Sequence, residues 1–192
     1  MGRFAENEII SLVGPPPRYN LAESIGPDLR IAGLMGPGEF DHVPLAYGTA
    51  AGDQNLRRVI AEMHGVTAED VVITVGGMHA LFLLAFILCG RGGQAVTTTP
   101  CFPLARNALD AVGADARVVP LSFDHGYRVD PVMLREMLSV NAKLVSVASP
   151  QNPSGVAIPK TVLRDIVELL DRICPATYLL VDETLPRGDL RQ

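Results

Sequence analysis

The sequence predicts an α/β protein built on a mostly parallel sheet, and three observations carry that expectation. Short runs rich in Val, Ile and Leu alternate with segments of helical spacing, the pattern of βαβ units. The chain has 192 residues and is 48% hydrophobic, enough for one domain with a real core. Its most unusual polar and small residues fall just beyond the apolar runs, where open α/β sheets bind ligands.

The elements follow in order. Residues 1–46 are rich in Pro and Gly ("GPPPRYN", "GPGEF") and show little periodicity. They read as an irregular N-terminal arm with a short helix near Leu29–Leu34. From Asp53 the pattern becomes regular: Leu56, Val59, Ile60 and Met63 share one helical face, with Asp53 as N-cap and Gly65 just past the end. Strands are expected at 71–75, 94–99, 116–121, 143–149 and 177–182. Helices are expected between them at 77–89, 103–112, 130–139 and 159–173. Gly90 and Gly113 are placed to stop helices, and Asp130-Pro131 sets a capping side chain before a proline suited to the first helical position. The run Ala80–Cys89 is about half the length of a membrane span and reads as a helix buried inside the domain. There is no internal repeat and no low-complexity tract.

Composition narrows the function. The formal net charge is −5 with scattered basic residues, which argues against a nucleic-acid or anionic-membrane footprint. Cys89, Cys101 and Cys174 are far apart with no CxxC pair, as expected of a reducing, cytoplasmic setting without metal ligation. The first ten residues lack the basic flank and apolar stretch of a signal peptide. His42, His64, His79 and His125 show no ligand spacing, and His79 reads as a partly buried packing residue.

The strand ends are where chemistry collects. Gly76-Gly77 before a helix either lets backbone amides approach an anion or forms a tight turn that needs glycine. Phe102, between Pro100 and Pro103, is either a ring held against a planar ligand or a core aromatic. "PQNPSG" is either a proline-rich turn or a rigid mount for Asn152 as a hydrogen-bond donor. Asp182 follows four apolar residues, and a carboxylate there needs a partner to justify its desolvation.

Taken together these segments resemble the class I/II aminotransferases, fold-type I enzymes dependent on pyridoxal phosphate (PLP). "YGTAAGDQNLRRVIA" is similar to the family's Y-x-P-x-x-G-x-x-x-L-R segment, and "ITVGGMHAL" to its phosphate-cradling strand–turn–helix. "TTPCFPLARNALDAVGADARVVPL" resembles the P-x-Y/F-P segment, "SPQNPSGVAIP" the N-P-x-x-P-T-G block, and "LLVDE" the strand carrying the cofactor aspartate. Each piece is weak alone, but their shared order is specific. The resemblance implies a partial large domain over 47–192. On that resemblance Asp182 would pair with the pyridine nitrogen, Asn152 with the phenolic oxygen, and Phe102 would stack on the ring. The amides of Gly76, Gly77 and Met78 would hold the phosphate. The tyrosine matching Tyr47 would reach the phosphate of a neighbouring subunit, so the resemblance implies a homodimer, and it implies an amino acid and a 2-oxo acid as substrates.

The sequence also departs from the family. Its two lysines, Lys143 and Lys160, do not match the family's Schiff-base lysine, and the expectation is that these residues do not include the arginine-bearing small C-terminal domain. The D-x-x-Y pattern is replaced by Asp182-Glu183-Thr184-Leu185. The expectation is a fragment without a catalytic residue, inactive or weakly active by itself. Its first strand lacks the two strands that, in the family, separate it from the fifth. C–S lysis or aminocyclopropane formation on the same scaffold remains open, as does a non-catalytic PLP-binding or dimerising remnant. A Mg²⁺-nucleotide hydrolase reading of "YLLVDE" fails because no GxxxxGK[ST] loop is present.

Overall fold

A computed structural model describes residues 18–19 and 29–184. The triple proline at 15–17 and the segment from Leu185 onward lie outside the described residues. Two compact units are distinguished, one ending at Thr74 and the other starting at Val75.

In the first unit, helix α1 spans Ile31–Leu34 and a 3₁₀ turn spans Glu39–His42. Helix α2 spans Gln54–His64. The Leu56 N–H donates to Asp53 Oδ1 at 2.8 Å, and Gly65 ends the helix at φ 66°, the left-handed region that favours glycine. Arg57 then ties the helix to the following segment, donating to the carbonyls of Val71 (2.7 Å) and Ala68 (2.5 Å).

The strand expected at 71–75 does not form. Val71 is extended, and the Ile73 N–H donates to the Ala51 carbonyl at 2.9 Å, but residues 71–74 join no ladder. A β-propensity run becomes a strand only when another strand offers its backbone groups. Val72 and Val75 are accordingly exposed.

The second unit carries the sheet. Helix α3 (Gly76–Leu84) runs into a π turn (Ala85–Cys89). There follow β1 (Gln94–Thr99), α4 (Pro103–Val112), β2 (Asp115–Pro120), α5 (Pro131–Met137), β3 (Ala142–Ala148), α6 (Lys160–Ile173) and β4 (Tyr178–Asp182). The strands form a four-stranded parallel sheet in the order β2-β1-β3-β4. The α/β class and the partial large-domain architecture are therefore as expected, with four described strands where five were expected.

Successive side chains of a strand point to opposite faces. Ala95 and Leu144 pack with Leu109 of α4 and with Ala85 and Cys89 of the π turn. Val96 and Val145 pack with Leu134 of α5 and Ile166 of α6. The helices leaving β1 and β3 thus cover opposite faces, which opens a crevice between the carboxyl ends of these neighbours. Gly93 allows the tight approach to β1, since a Cβ there would collide with the Cys89 carbonyl. The expectation that Ala80–Cys89 is a buried helix is corrected: Ala85 and Cys89 are buried, but Leu84, Phe86 and Ile87 are exposed. One face of this apolar segment covers the sheet and the other has no described layer above it.

Candidate functional site

The carboxyl edge of the sheet is held by a continuous arc of hydrogen bonds. At the tip of β1, the Pro100 carbonyl accepts from Gln151 Nε2 at 2.8 Å. Gln151 is buried, and its Oε1 accepts from the Ser154 hydroxyl. Its N–H donates to the Val156 carbonyl at 2.8 Å, and its carbonyl accepts from the Gly155 N–H at 2.6 Å. The "QNPSG" turn is therefore clamped at both ends, with Asn152 displayed in the exposed middle. Beside it, the Ser149 N–H donates to the Asp182 carbonyl at 2.9 Å, joining the tips of β3 and β4. The Ser149 hydroxyl accepts from the Ile158 N–H at 2.9 Å, which fixes the far side of the turn.

Asp182 is half-buried at the end of β4, opposite Ala148 in register. Its Oδ1 accepts from the Thr184 N–H at 2.9 Å and from the Thr184 hydroxyl at 2.5 Å. This Asx-type turn orients the carboxylate with one oxygen engaged. Thr184 also faces the start of α3: a Cβ built on Gly77 would lie 3.6 Å from its hydroxyl. Gly76 opens α3 at φ 76°, the N-cap residue Val75 contributes no side-chain hydrogen bond, and the first turn carries no acid. A nine-residue helix starting this way presents its positive end and backbone amides to the same edge.

Phe102 is half-buried at the N-cap of α4, two residues past Pro100. Met78 is half-buried in the first turn of α3. Tyr47 is fully exposed in the first unit. His79 corrects the expectation of a packing residue: it is exposed, and its Nδ1 accepts from the Val75 N–H at 3.3 Å. Lys143 sits at the opposite end of β3 and Lys160 opens α6, both exposed. Among the described residues no group of three or more His, Cys, Asp and Glu is placed to hold a metal. No described helix is long and apolar enough to cross a membrane.

Comparison with known proteins decides the family, because residues 43–184 match the model for aminotransferase class I and II. The chain belongs to that family. It is 31% identical to a probable aspartate/prephenate aminotransferase of Thermus aquaticus over 143 residues, 71% of this chain and 37% of that protein. It is 35% identical to a valine–pyruvate aminotransferase of Mycobacterium tuberculosis over 133 residues, 66% of this chain and 34% of that one. Among solved structures, a double mutant of Thermus thermophilus aspartate aminotransferase aligns with a TM-score of 0.68 at 29% identity. That alignment covers 72% of this chain and 37% of the other. The chain thus spans little more than a third of the length of the curated relatives it matches.

Within the aminotransferase family the scaffold is a PLP-binding fold, as the sequence resemblance implied. Thr184, Gln151 and Ser149 were not among the site residues expected from sequence. Thr two residues after Asp is an Asx-turn signal that could have pointed to Thr184. Gln151 reaches the Pro100 carbonyl and Ser149 the Asp182 carbonyl, distant partners for which the local sequence holds no pattern.

Proposed function

We propose that this chain is the cofactor-holding portion of a PLP-dependent aminotransferase, which moves an amino group between an amino acid and a 2-oxo acid. Residues 47–192 belong to its cofactor-binding large domain and residues 1–46 to its N-terminal arm, in a cytoplasmic protein. The observation that carries this reading is the arc itself. The start of α3 at Gly77, Thr184 and the Asp182 carboxylate follow one another along the sheet edge.

The donor set suits a phosphorylated pyridine. Bound PLP supplies an electron-withdrawing ring that stabilises negative charge at the α-carbon of an amino acid. The backbone at Gly76, Gly77 and Met78 holds the phosphate, as helix starts hold anions. Asp182 would hold the protonated ring nitrogen, with Thr184 keeping Oδ1 engaged and the carboxylate in one orientation. Asn152, on its clamped turn, donates to the phenolic oxygen. Phe102 covers a ring face and excludes water from it. Tyr47 serves the phosphate of a second copy in a homodimer, a role its exposure leaves it free to take.

The chain by itself holds the cofactor without transferring amino groups, since neither Lys143, at the opposite end of β3, nor Lys160, which opens α6, matches the family's Schiff-base lysine. The test is incubation with PLP, borohydride reduction and peptide mass spectrometry, run beside an assay with an amino acid and a 2-oxo acid. The expected outcome is reversible PLP binding with no stoichiometric pyridoxyl-lysine and no turnover. A stable adduct on one defined lysine together with turnover contradicts the non-catalytic part of this reading.

A further inference from the structure

On the side of the sheet that carries α5 and α6, a cavity of about 440 Å³ lies behind the "QNPSG" turn. That size falls in the range of small-molecule sites. None of the residues assigned above to the cofactor lines it. Val129, Val156, Ile158 and Val162 give it apolar walls.

Two polar groups interrupt those walls. Thr98 shares a face of β1 with Val96, two residues away, and therefore points to the α5/α6 side. It is only 3% exposed, and its hydroxyl has no hydrogen-bond partner among the described residues. Buried hydroxyls are normally satisfied, so an unpartnered one lining a cavity marks a place for a ligand atom. Arg128 borders the same cavity from an exposed position, and its guanidinium has no ion pair or hydrogen bond among the described residues. A water could satisfy Thr98 but would leave the aliphatic walls wet and the guanidinium without an anion. An apolar body with a carboxylate head satisfies all three, because the guanidinium fork matches a carboxylate.

We propose that this cavity is a second ligand site, taking a small aliphatic carboxylate. The aliphatic chain lies against Val156, Ile158 and Val162. The carboxylate accepts from the Arg128 guanidinium and from the Thr98 hydroxyl. Gln151 lines the cavity as well as holding the turn that displays Asn152, so occupancy bears directly on that turn. The inference stands on the cavity alone and does not depend on the cofactor reading.

The test is calorimetric titration of the full 192-residue chain with 4-methylpentanoate at neutral pH, beside the uncharged 4-methylpentanamide. One saturable site is expected. The amide and the Arg128→Gln variant should each bind about tenfold more weakly, the scale of a lost charge-assisted contact. Thr98→Val, which keeps the side-chain shape, should bind about fivefold more weakly. Absence of saturable binding, or undiminished affinity in Arg128→Gln or for the amide, overturns the proposal. Arg128 is exposed, so its replacement leaves the fold intact. Should circular dichroism show Thr98→Val unfolded, the other two comparisons decide alone.

Discussion

Cys101 sits between Pro100 and Phe102 at the tip of β1, and burial pushes its thiol above the ordinary value of 9.0. Arg106 opposes that shift by a smaller amount. The thiolate is the reactive form, so a raised value means less of it at any given pH near or below 9. Cys101 is therefore expected to be alkylated by iodoacetamide more slowly than a free cysteine peptide at pH 8. Its rate should still be climbing at pH values where the peptide has levelled off. Equal rates and equal midpoints in a pH–rate series would show that Cys101 is not shielded. Asp182 and Asn152 were legible as candidates because each follows an apolar run at a strand tip, and Phe102 because it stands between Pro100 and Pro103 just past a strand, positions one sequence suffices to locate. Their supports were not legible. Gln151 is held by the Pro100 carbonyl, 51 positions away in sequence, and such a pairing exists only after folding.

At the scale of elements, helix boundaries read well where a cap is local. Asp53, Asp130 and the left-handed Gly65 and Gly113 do what their residue types predict. The strand at 71–75 read poorly because strand formation depends on a partner rather than on composition. The π turn at Ala85–Cys89 left no trace in the periodicity. Gly93 shows how closely that turn meets the sheet: Gly93→Ala puts a methyl group on the Cys89 carbonyl, and overpacking of this kind costs about 1–3 kcal/mol or more. Leu134, fully buried between α5 and the sheet, should cost about 2–5 kcal/mol as Leu134→Ala. Urea denaturation of both variants checks this, and a change within about 0.5 kcal/mol, as for an ordinary surface substitution, would contradict the packing described.

Asp70 adds a pH dependence. Hydrogen bonds from the Thr67 N–H (3.0 Å) and hydroxyl (2.8 Å) lower its carboxyl from 3.8. A carboxyl lowered in the folded state contributes stability that is present above pH 3.8 and lost as pH falls through its folded value. Asp70→Asn should therefore change stability at neutral pH more than at pH 2.

Over the whole molecule, the exposed apolar surface and the outer edge of β4 are features that favour association. Among the described strands β4 pairs only with β3, so its other edge presents unpaired backbone groups. Phe86 and Ile87 are 61% and 71% exposed. The isolated chain is expected to self-associate, with sedimentation coefficients that rise with concentration. Tyr178→Lys, at the start of β4, should reduce that association. A concentration-independent monomer with a cooperative melt would contradict it.

If the carboxyl edge holds PLP through Asp182 and the start of α3, binding must depend on the Asp182 carboxylate. The most direct measurement is equilibrium titration of the chain with PLP, followed by cofactor absorbance, for the native sequence and for Asp182→Asn. The native chain should bind one PLP per chain. Loss of the charged acceptor should weaken binding at least about tenfold, the scale of a charge-assisted hydrogen bond. Equal affinity in both proteins, or no binding by the native chain, would contradict the account.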